Sequence, residues 1–338
     1  MWEIFSFSLL ALVLGFKHSY DADHLLAVSN ILRKTKSFGE SAKNSFSWAV
    51  GHMLTAAIIT IILFMWDQLI KHFQTLEQRP FERMAILVGG LLLFWIIEGA
   101  IPLLPLHYKK TRVRHAAVNF GFTIIHLVIH TLLAILIVVL ADWCQHQSFG
   151  LVFWVNANLL FTIIIAILAL DFSNWLVHWV MHKVRFLWRF HLVHHTDNNV
   201  DVTTGLRHHP GDSLLRGVFY MTFIVISGAP MFAIMIYQTL LVLATAFIHA
   251  NIRLHEKLDK MLSYFLVSPN MHKVHHHWKQ PYTDSNYGTV FSFWDRLLTT
   301  YKHLDTKEIR YGLDKHYPNE KDEDFVALMK RPFQKLEL

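Results

Sequence analysis

The fold is decided by the stretch Asp171-Phe-Ser-Asn-Trp-Leu-Val-His178-Trp-Val-Met-His182, which ends a long apolar run that begins at Leu151. An apolar run of about 20 residues is long enough to cross a bilayer as a helix. In such a helix His178 and His182 lie one turn apart on one face, and Asp171 lies on that face two turns earlier. The stretch therefore predicts a membrane-spanning helix with imidazole groups near its end.

The rest of the composition indicates an all-α, polytopic membrane protein. Of the 338 residues, 53% are hydrophobic and 17% are charged, whereas soluble domains carry about 25% charged residues. This argues against a soluble enzyme and a disordered chain, and the net charge of +6 forms no basic stripe of the kind that binds nucleic acid. The predicted spans are Trp2–Leu14, Phe46–Trp66, Met84–Leu106, Ala116–Ala141 and Leu151–Val180, followed by a hairpin of two shorter runs, Leu215–Ile226 and Met231–Ile248.

Basic loop residues predict the orientation of these spans. Lys and Arg follow the first and third spans, at Arg33, Lys34, Lys36, Lys43, Lys109, Lys110, Arg112 and Arg114. The loop 142–150 has no Lys or Arg. The loop 67–83 is the exception, because it contains basic residues on the predicted outer side. By the positive-inside rule the N-terminus is outside and the histidine-rich segments are cytoplasmic. We therefore predict a membrane helical bundle with a histidine-rich helical cap on the cytoplasmic side.

Histidine is the residue type that points to chemistry. The chain has 24 histidines, more than half of them between residues 178 and 277. The pattern His-x-x-His-His occurs at His191–His195 and again at His272–His276, with His249 between them. Imidazole suits iron, zinc and copper. One metal ion needs only three or four protein ligands, so eight or nine imidazoles can surround two ions and leave positions open. Asp171 is the candidate acceptor that would orient a ligand ring through its other N–H.

Two less specific interpretations compete with a metal site. A single pair of histidines four residues apart is more often a surface or core pair than a ligand set. A dense group of histidines is also compatible with a pH-sensitive surface, because imidazole titrates near neutrality. The repeated spacing on one side of the membrane favours a metal site with many histidine ligands.

Together with three flanking motifs, these clusters resemble the fatty acid hydroxylase and sterol desaturase superfamily of membrane di-iron enzymes. The flanking motifs are Arg207-His-His-Pro210, Asp284-Ser-Asn-Tyr-Gly288 and Phe293-Trp-Asp-Arg296, and the resemblance covers about residues 85–303. It implies as metal ligands His178, His182, His191, His194, His195, His249, His272, His275 and His276. It makes His209 a further ligand or a support of the site, His208 and His277 neighbours of it, and Asn286 and Asp295 residues that shape the cap.

The resemblance also implies the reaction. Two iron ions and O₂ would hydroxylate an unactivated C–H bond of a lipid, either fatty acyl, sterol-like or otherwise hydrophobic. No flavin, haem or iron–sulfur motif is visible, so electrons would come from a ferredoxin-like or haem protein. Desaturation starts with the same hydrogen abstraction and stays an alternative. Iron follows from the family, since histidine sites bind zinc as well.

The N-terminal third resembles a different family. His18-Ser-Tyr-Asp-Ala-Asp23-His24 and Gly51-His52 are similar to the first helices of nickel/cobalt transporters over about residues 10–65. The resemblance implies metal binding by His18, Asp23, His24 and His52. Ionisable residues within a span are costly and are usually functional or paired with each other, so a structural polar cluster is the alternative interpretation.

These two resemblances define the predicted domains and a competing function. We expect a two-helix membrane segment at 1–75, a hydroxylase-like domain at 80–315 and a polar tail at 316–338. The competing hypothesis is a divalent-metal carrier or metal-handling membrane protein.

Overall fold

The computed structural model describes residues 29–31, 33, 37, 39–48, 50, 80–108, 111–313 and 323–334. The chain divides into two compact units, Met1–His72 and Phe73–Leu338. In the first unit residues 39–48 are helical. The predicted motif residues His18, Asp23, His24 and His52, the span Trp2–Leu14 and most of the span Phe46–Trp66 lie outside the described residues.

The second unit is built from α-helices and short 3₁₀ turns, and no strand occurs in the ranges that the structure describes, which confirms the predicted all-α class. The 3₁₀ turns are Val202–Leu206, Thr306–Glu308 and Arg331–Phe333. The helices are α1 (Pro80–Ala100), α2 (Arg112–Gln147), α3 (Leu151–Trp154), α4 (Leu159–Lys183), α5 (Arg185–His195), α6 (Pro210–Ser227), α7 (Met231–His249), α8 (Glu256–Leu262), α9 (Pro269–His275), α10 (Phe293–Leu297) and α11 (Phe325–Lys330).

Three stretches among the described residues are long and apolar enough to cross a membrane: Arg112–Trp154, which holds α2 and α3, then α4 and α7. The protein is therefore a membrane protein. The predicted span from Leu151 differs from the structure, because the chain turns after α3 and α4 begins only at Leu159. Asn158 caps that start by accepting a hydrogen bond from the backbone N–H of Phe161.

The helices α2, α4, α6 and α7 pack into one bundle, with α4 in contact with both arms of the predicted hairpin α6–α7. Small residues such as Ala141, Ala166 and Ala233 are buried in its core, and small side chains let helix backbones approach closely in a bilayer. The hairpin turns at Gly228, whose φ of 69° suits glycine, and its backbone packs directly on Gly150. The turn therefore lies at the end of the bundle where α2 passes into α3.

The opposite end of the bundle carries the cap. Glu98, at the end of α1, forms a salt bridge with Arg112 at the start of α2. Its other oxygen accepts hydrogen bonds from the backbone N–H groups of Val202 and Asn251. This one carboxylate therefore joins α1, α2, the first 3₁₀ turn and the residues after α7, and it places Arg112 and the start of α2 at the histidine-bearing end.

The segment 316–338, predicted as a polar tail, differs from that prediction where it is described. It contains α11, whose Phe325 and Leu328 pack with Phe122 of α2 and Val193 of α5. These two apolar residues are three apart and share one face of the short helix, which accounts for the packing.

Candidate di-metal site

The nine histidines predicted as metal ligands lie together at the cap end of the bundle; α4, α5, α7 and α9 contribute eight of them, and His276 directly follows α9. They form two groups, within each of which one ring nitrogen per residue lies within 4.8 Å of the others. The first histidine group is His178, His182, His191, His195 and His275, and the second histidine group is His194, His249, His272 and His276.

Local helix geometry explains how the two groups arise. Consecutive residues of a helix point about 100° apart, so each His-His pair is divided between the groups. His195 and His275 belong to the first group, and His194 and His276 belong to the second. The rings of His195 and His276 are 4.7 Å apart between centroids, so the two groups are adjacent.

The residues that connect these helices, and those that cap their ends, set the helix directions. Val184 is the single extended residue that ends α4 and begins α5, so the chain reverses between His182 and His191. The helix α9 begins with Pro269 at its first position, and the Ser268 hydroxyl accepts a hydrogen bond from the backbone N–H of Met271. Both features are favourable at a helix start.

Five of the nine rings are held through their Nδ1 atoms by acceptor groups. A carbonyl or carboxylate oxygen can only accept a hydrogen bond, so in each case Nδ1 carries the hydrogen and Nε2 of the neutral ring keeps its lone pair. The five pairs are His178 with Tyr287 O at 2.8 Å, His182 with Asp284 Oδ1 at 3.3 Å, His191 with Asp212 Oδ2 at 2.7 Å, His249 with Thr245 O at 2.8 Å, and His275 with Ser285 O at 2.6 Å.

The inward nitrogens therefore present lone pairs to one another. The Nε2 atoms of His178 and His191 are 3.0 Å apart, although neither has a hydrogen to donate. Burial lowers the pKa of His191 to about 4, so its ring is neutral at pH 7. The Nε2 atoms of His182 and His275 are buried and have no hydrogen-bond partner among the described residues. Buried nitrogens without partners are rare, and a bound cation would satisfy all four.

The second histidine group also consists of neutral rings and includes buried ring nitrogens that lack hydrogen-bond partners. Both nitrogens of His276 are buried without a partner in the part of the chain that the structure describes. Burial lowers the pKa of His194, His272 and His276 well below the ordinary value. Neutral imidazoles are the form that binds metal, so the residues present fit two metal ions.

Two carboxylates that touch the histidines were missed by sequence reasoning. Asp212 Oδ2 accepts from His191 and from His208 at 3.2 Å, and Oδ1 accepts from Arg216 Nε at 2.6 Å. Burial alone would raise the pKa of Asp212, but Arg216 and the two histidines hold it well below the ordinary value. Asp284 contacts His182 and also Lys183 Nζ at 2.9 Å. The available signal was that Asp284 begins the flanking motif 284–288 and that Asp212 follows the motif 207–210 by two residues.

Asp171, predicted to orient a ligand ring, has a different place in the structure. Its carboxylate accepts from Tyr237 Oη, Trp294 Nε1 and the backbone N–H of Phe291, at 3.0–3.2 Å. It shares a helix face with His178, but seven residues of helix separate them by about 10 Å along the axis. A carboxylate cannot cover that distance, so Asp171 connects α4 to α7 and to the start of α10.

Three histidines near the site have other partners. Nδ1 of His209 accepts from the backbone N–H of Gly211 and so caps α6, and its Nε2 donates to Met329 O at 3.2 Å. Nδ1 of His277 accepts from the backbone N–H of Arg310. His208 stacks on the second-group ring of His194, with centroids 4.4 Å apart.

Asn286 and Asp295 shape the cap. The amide of Asn286 donates to Met271 O and Lys302 O, both at 2.9 Å, and thereby fixes α9 against the chain that follows α10. Asp295 accepts from Trp175 Nε1 and from the backbone N–H groups of Tyr287 and Gly288. It therefore holds the loop whose Tyr287 carbonyl positions His178.

A cavity of about 330 Å³ adjoins both groups. Its lining is mostly apolar with a few polar groups, as is typical of ligand sites. The polar residues include His126 and His130 of α2, which sequence reasoning did not single out, and His126 Nε2 lies 2.9 Å from Ser213 Oγ. Four group members, His178, His194, His249 and His272, line it together with apolar residues such as Leu91, Leu241, Val242 and Ala246.

Residues 163–300 match the family model described as fatty acid hydroxylase. This part of the chain is therefore similar to fatty acid hydroxylases. The predicted resemblance is thus confirmed, and the matched segment contains all nine histidines and Asp212. Both histidine groups therefore lie within the segment that matches this family model.

The curated relatives include lipid-modifying enzymes and a metal transporter. Alkylglycerol monooxygenase of Danio rerio is 29% identical over 153 residues, which are 44% of this chain and 32% of the relative. Ornithine lipid hydroxylase OlsE of Rhizobium tropici is 25% identical over 142 residues, 42% of each chain. The high-affinity nickel-transport protein NixA of Helicobacter pylori is 34% identical over 102 residues, 29% of this chain and 30% of the relative.

The chain thus spans about a third of the length of the alkylglycerol monooxygenase that it matches. The NixA match confirms the predicted similarity to nickel transporters. No solved structure matches the chain significantly.

Proposed function

We propose that this protein is an integral-membrane oxidoreductase that uses two iron ions and O₂ to hydroxylate a C–H bond of a lipid. The observation that carries the proposal is the pair of Nε2 lone pairs of His178 and His191, which face each other at 3.0 Å. Both rings have their only hydrogen committed to an oxygen on the other side. Such an arrangement is repulsive until a cation binds between the nitrogens.

The two histidine groups would each hold one ion. Bound iron supplies activation of O₂ and removal of hydrogen from an unactivated carbon, which amino-acid side chains do not provide. The chain's own residues hold the rings in one tautomer through Tyr287 O, Ser285 O and the two carboxylates. An all-imidazole donor set also suits zinc, so iron is proposed from the family and from the names of the matched monooxygenase and hydroxylase.

A lipid substrate is supported by the cavity. It lies between the membrane helices α2 and α7 and the second histidine group. Val242 contributes to its lining and is 42% exposed on the surface of α7. A hydrophobic chain could therefore pass from the bilayer to the metal-binding rings, and the mostly apolar lining would exclude water from them.

The cap is proposed to face the cytoplasm and to receive electrons there. Arg112 and Arg114 lie at the start of α2, at the same end of the bundle as the histidines, and cytoplasmic loops are enriched in such residues. An external ferredoxin-like or haem protein would supply the two electrons.

The experiment is oxidation in ¹⁸O₂ by the purified, iron-loaded protein in lipid nanodiscs, with a chemical or protein reductant and mass spectrometry of the lipids. We expect one ¹⁸O atom in a lipid product, lost in His194→Ala and in His275→Ala. His146→Ala is the matched control, because His146 lies on α2 with its side chain 75% exposed. A product that lacks two hydrogens and carries no ¹⁸O would establish desaturation instead. An unchanged lipid profile would refute the proposal that the protein oxidises lipids.

A second candidate function is handling of divalent metal, favoured by the match to NixA. Its test is metal flux into vesicles and metal content of the purified protein, compared between the parent and the double variant His18→Ala, His24→Ala. Loss of flux with unchanged lipid oxidation would assign the two activities to different parts of the chain. Unchanged flux and metal content would remove this candidate.

A further inference from the structure

We infer that part of the cap surface is itself inserted in the lipid bilayer, beside the spanning helix α4. This apolar cap surface consists of Met261, Tyr264, Phe265, Leu266, Leu297 and Leu298, all outside the three candidate spans. Phe265 is 73% exposed, Leu297 71% and Met261 61%. Contiguous exposed apolar patches mark a binding surface for a protein or a membrane. The inference does not rest on the proposed oxidation chemistry.

The residues of this surface form one continuous structure. The backbone N–H of Ser292 donates to Phe265 O at 3.1 Å, and Leu266 forms an antiparallel bridge with Phe291. Arg296 donates to Ser263 O at 2.8 Å. The end of α8 and the helix α10 are therefore fixed side by side.

The depth of this structure follows from its contact with α4. The hydrocarbon core of a bilayer covers about 20 helical residues, and every 20-residue window of the 25 residues of α4 contains Asp171. Trp294 Nε1 and the backbone N–H of Phe291 donate to Asp171 Oδ2, at 3.0 and 3.2 Å. The chain at 291–294, and Phe265 paired with it, therefore lies at the depth of the hydrocarbon core.

The backbone of the surface meets the strictest requirement of that environment. Irregular chain in contact with lipid must have its polar backbone groups satisfied. Each of the five consecutive N–H groups from Ser263 to Val267 donates to a backbone carbonyl. The sequence 261–270 also contains no charged residue, so a lipid environment imposes no charge-burial penalty there.

The charged group that borders the surface is covered by aromatic rings. The Arg296 guanidinium lies 3.9 Å from the ring centroid of Tyr301 and 5.1 Å from that of Tyr264. Cation–π contacts of this kind are favourable when water is excluded. Tyrosine is also enriched where membrane proteins meet the interface, and this arrangement fits a lipid surface better than a soluble partner.

The experiment measures the environment of single labels on the full-length protein in phosphatidylcholine vesicles. Cys144 is the only cysteine, so Phe265→Cys and Leu297→Cys are made in a Cys144→Ala background and labelled with an environment-sensitive fluorophore. Lys307→Cys is the control, an exposed position of the cap outside the apolar cap surface. All three labelled side chains are exposed, so these substitutions leave the core intact. Cys144 is buried, so circular dichroism compares the Cys144→Ala background and each variant with the parent.

We expect blue-shifted emission at positions 265 and 297, several-fold stronger quenching by doxyl-labelled lipid than at position 307, and several-fold weaker quenching by iodide. Equal iodide quenching at the three positions would overturn the inference by showing an aqueous surface. Protection from both quenchers would also overturn it, since the surface would then be covered by a second copy or another protein.

Discussion

Replacing Asp212 with asparagine tests how the first histidine group is positioned. The substitution keeps the shape of the side chain but leaves one acceptor oxygen for three donors, namely His191 Nδ1, His208 Nδ1 and Arg216 Nε. If the amide nitrogen faces His191, that ring loses its acceptor, and the hydrogen shifts to Nε2. A protonated Nε2 cannot bind metal, so Asp212→Asn lowers the affinity of the first histidine group for its metal ion.

The expected magnitude follows from the kind of contact that is lost. Removing the group that orients a metal-binding histidine costs about 10–100-fold in metal affinity, which corresponds to about 1.4–2.7 kcal/mol. The second histidine group contains none of the donors to Asp212, so its ion keeps the affinity of the parent. The measurement is a chelator competition on the two-metal protein, which resolves one weakened ion and one unchanged ion.

Two further variants make the result interpretable. Asp212→Asn leaves the Arg216 charge without its carboxylate, so the double variant Asp212→Asn, Arg216→Gln removes both charges and separates a folding defect from a metal defect. Asp142→Asn is the matched control, because Asp142 pairs with His146 at 3.5 Å while the two side chains are 68% and 75% exposed. Folded Asp212→Asn protein that binds both ions as tightly as the parent would refute the reasoning.

Three other predictions follow from the assigned contacts. His209→Ala removes a helix cap and lowers the free energy of unfolding by about 0.5–2 kcal/mol with metal content unchanged; loss of an ion would make His209 a ligand. Asp171→Asn leaves buried donors short of an acceptor and costs about 1–3 kcal/mol in thermal unfolding, again with both ions retained, whereas a weakened ion would restore its predicted orienting role. Val242→Trp fills the cavity and abolishes lipid oxidation without loss of metal, while Val139→Trp, at a lipid-exposed position of α2, leaves oxidation intact; equal activity of the two variants would place the substrate elsewhere.

The sequence by itself predicted which histidines would gather at the site. Residues four apart in a helix share a face whatever surrounds the helix, so His178 and His182 were predictable from spacing alone. The apolar runs predicted α2, α4 and the α6–α7 hairpin for the same reason, since length and hydropathy are local properties. The sequence described both arms of that hairpin as shorter runs, whereas the second arm is long enough to cross a membrane as α7.

Only the tertiary structure decided how the histidines divide into two groups and what holds each ring. Residues 178 and 275 lie on different helices, so their distance depends on packing and not on periodicity. The acceptors Tyr287 O and Ser285 O are backbone carbonyls. Every residue has one, so the residue types in the sequence do not predict which carbonyls accept these hydrogen bonds. Asp171 shows the converse: its position on the helix face was predictable, but its partners on α7, just before α10 and within α10 were fixed by how those segments pack against α4.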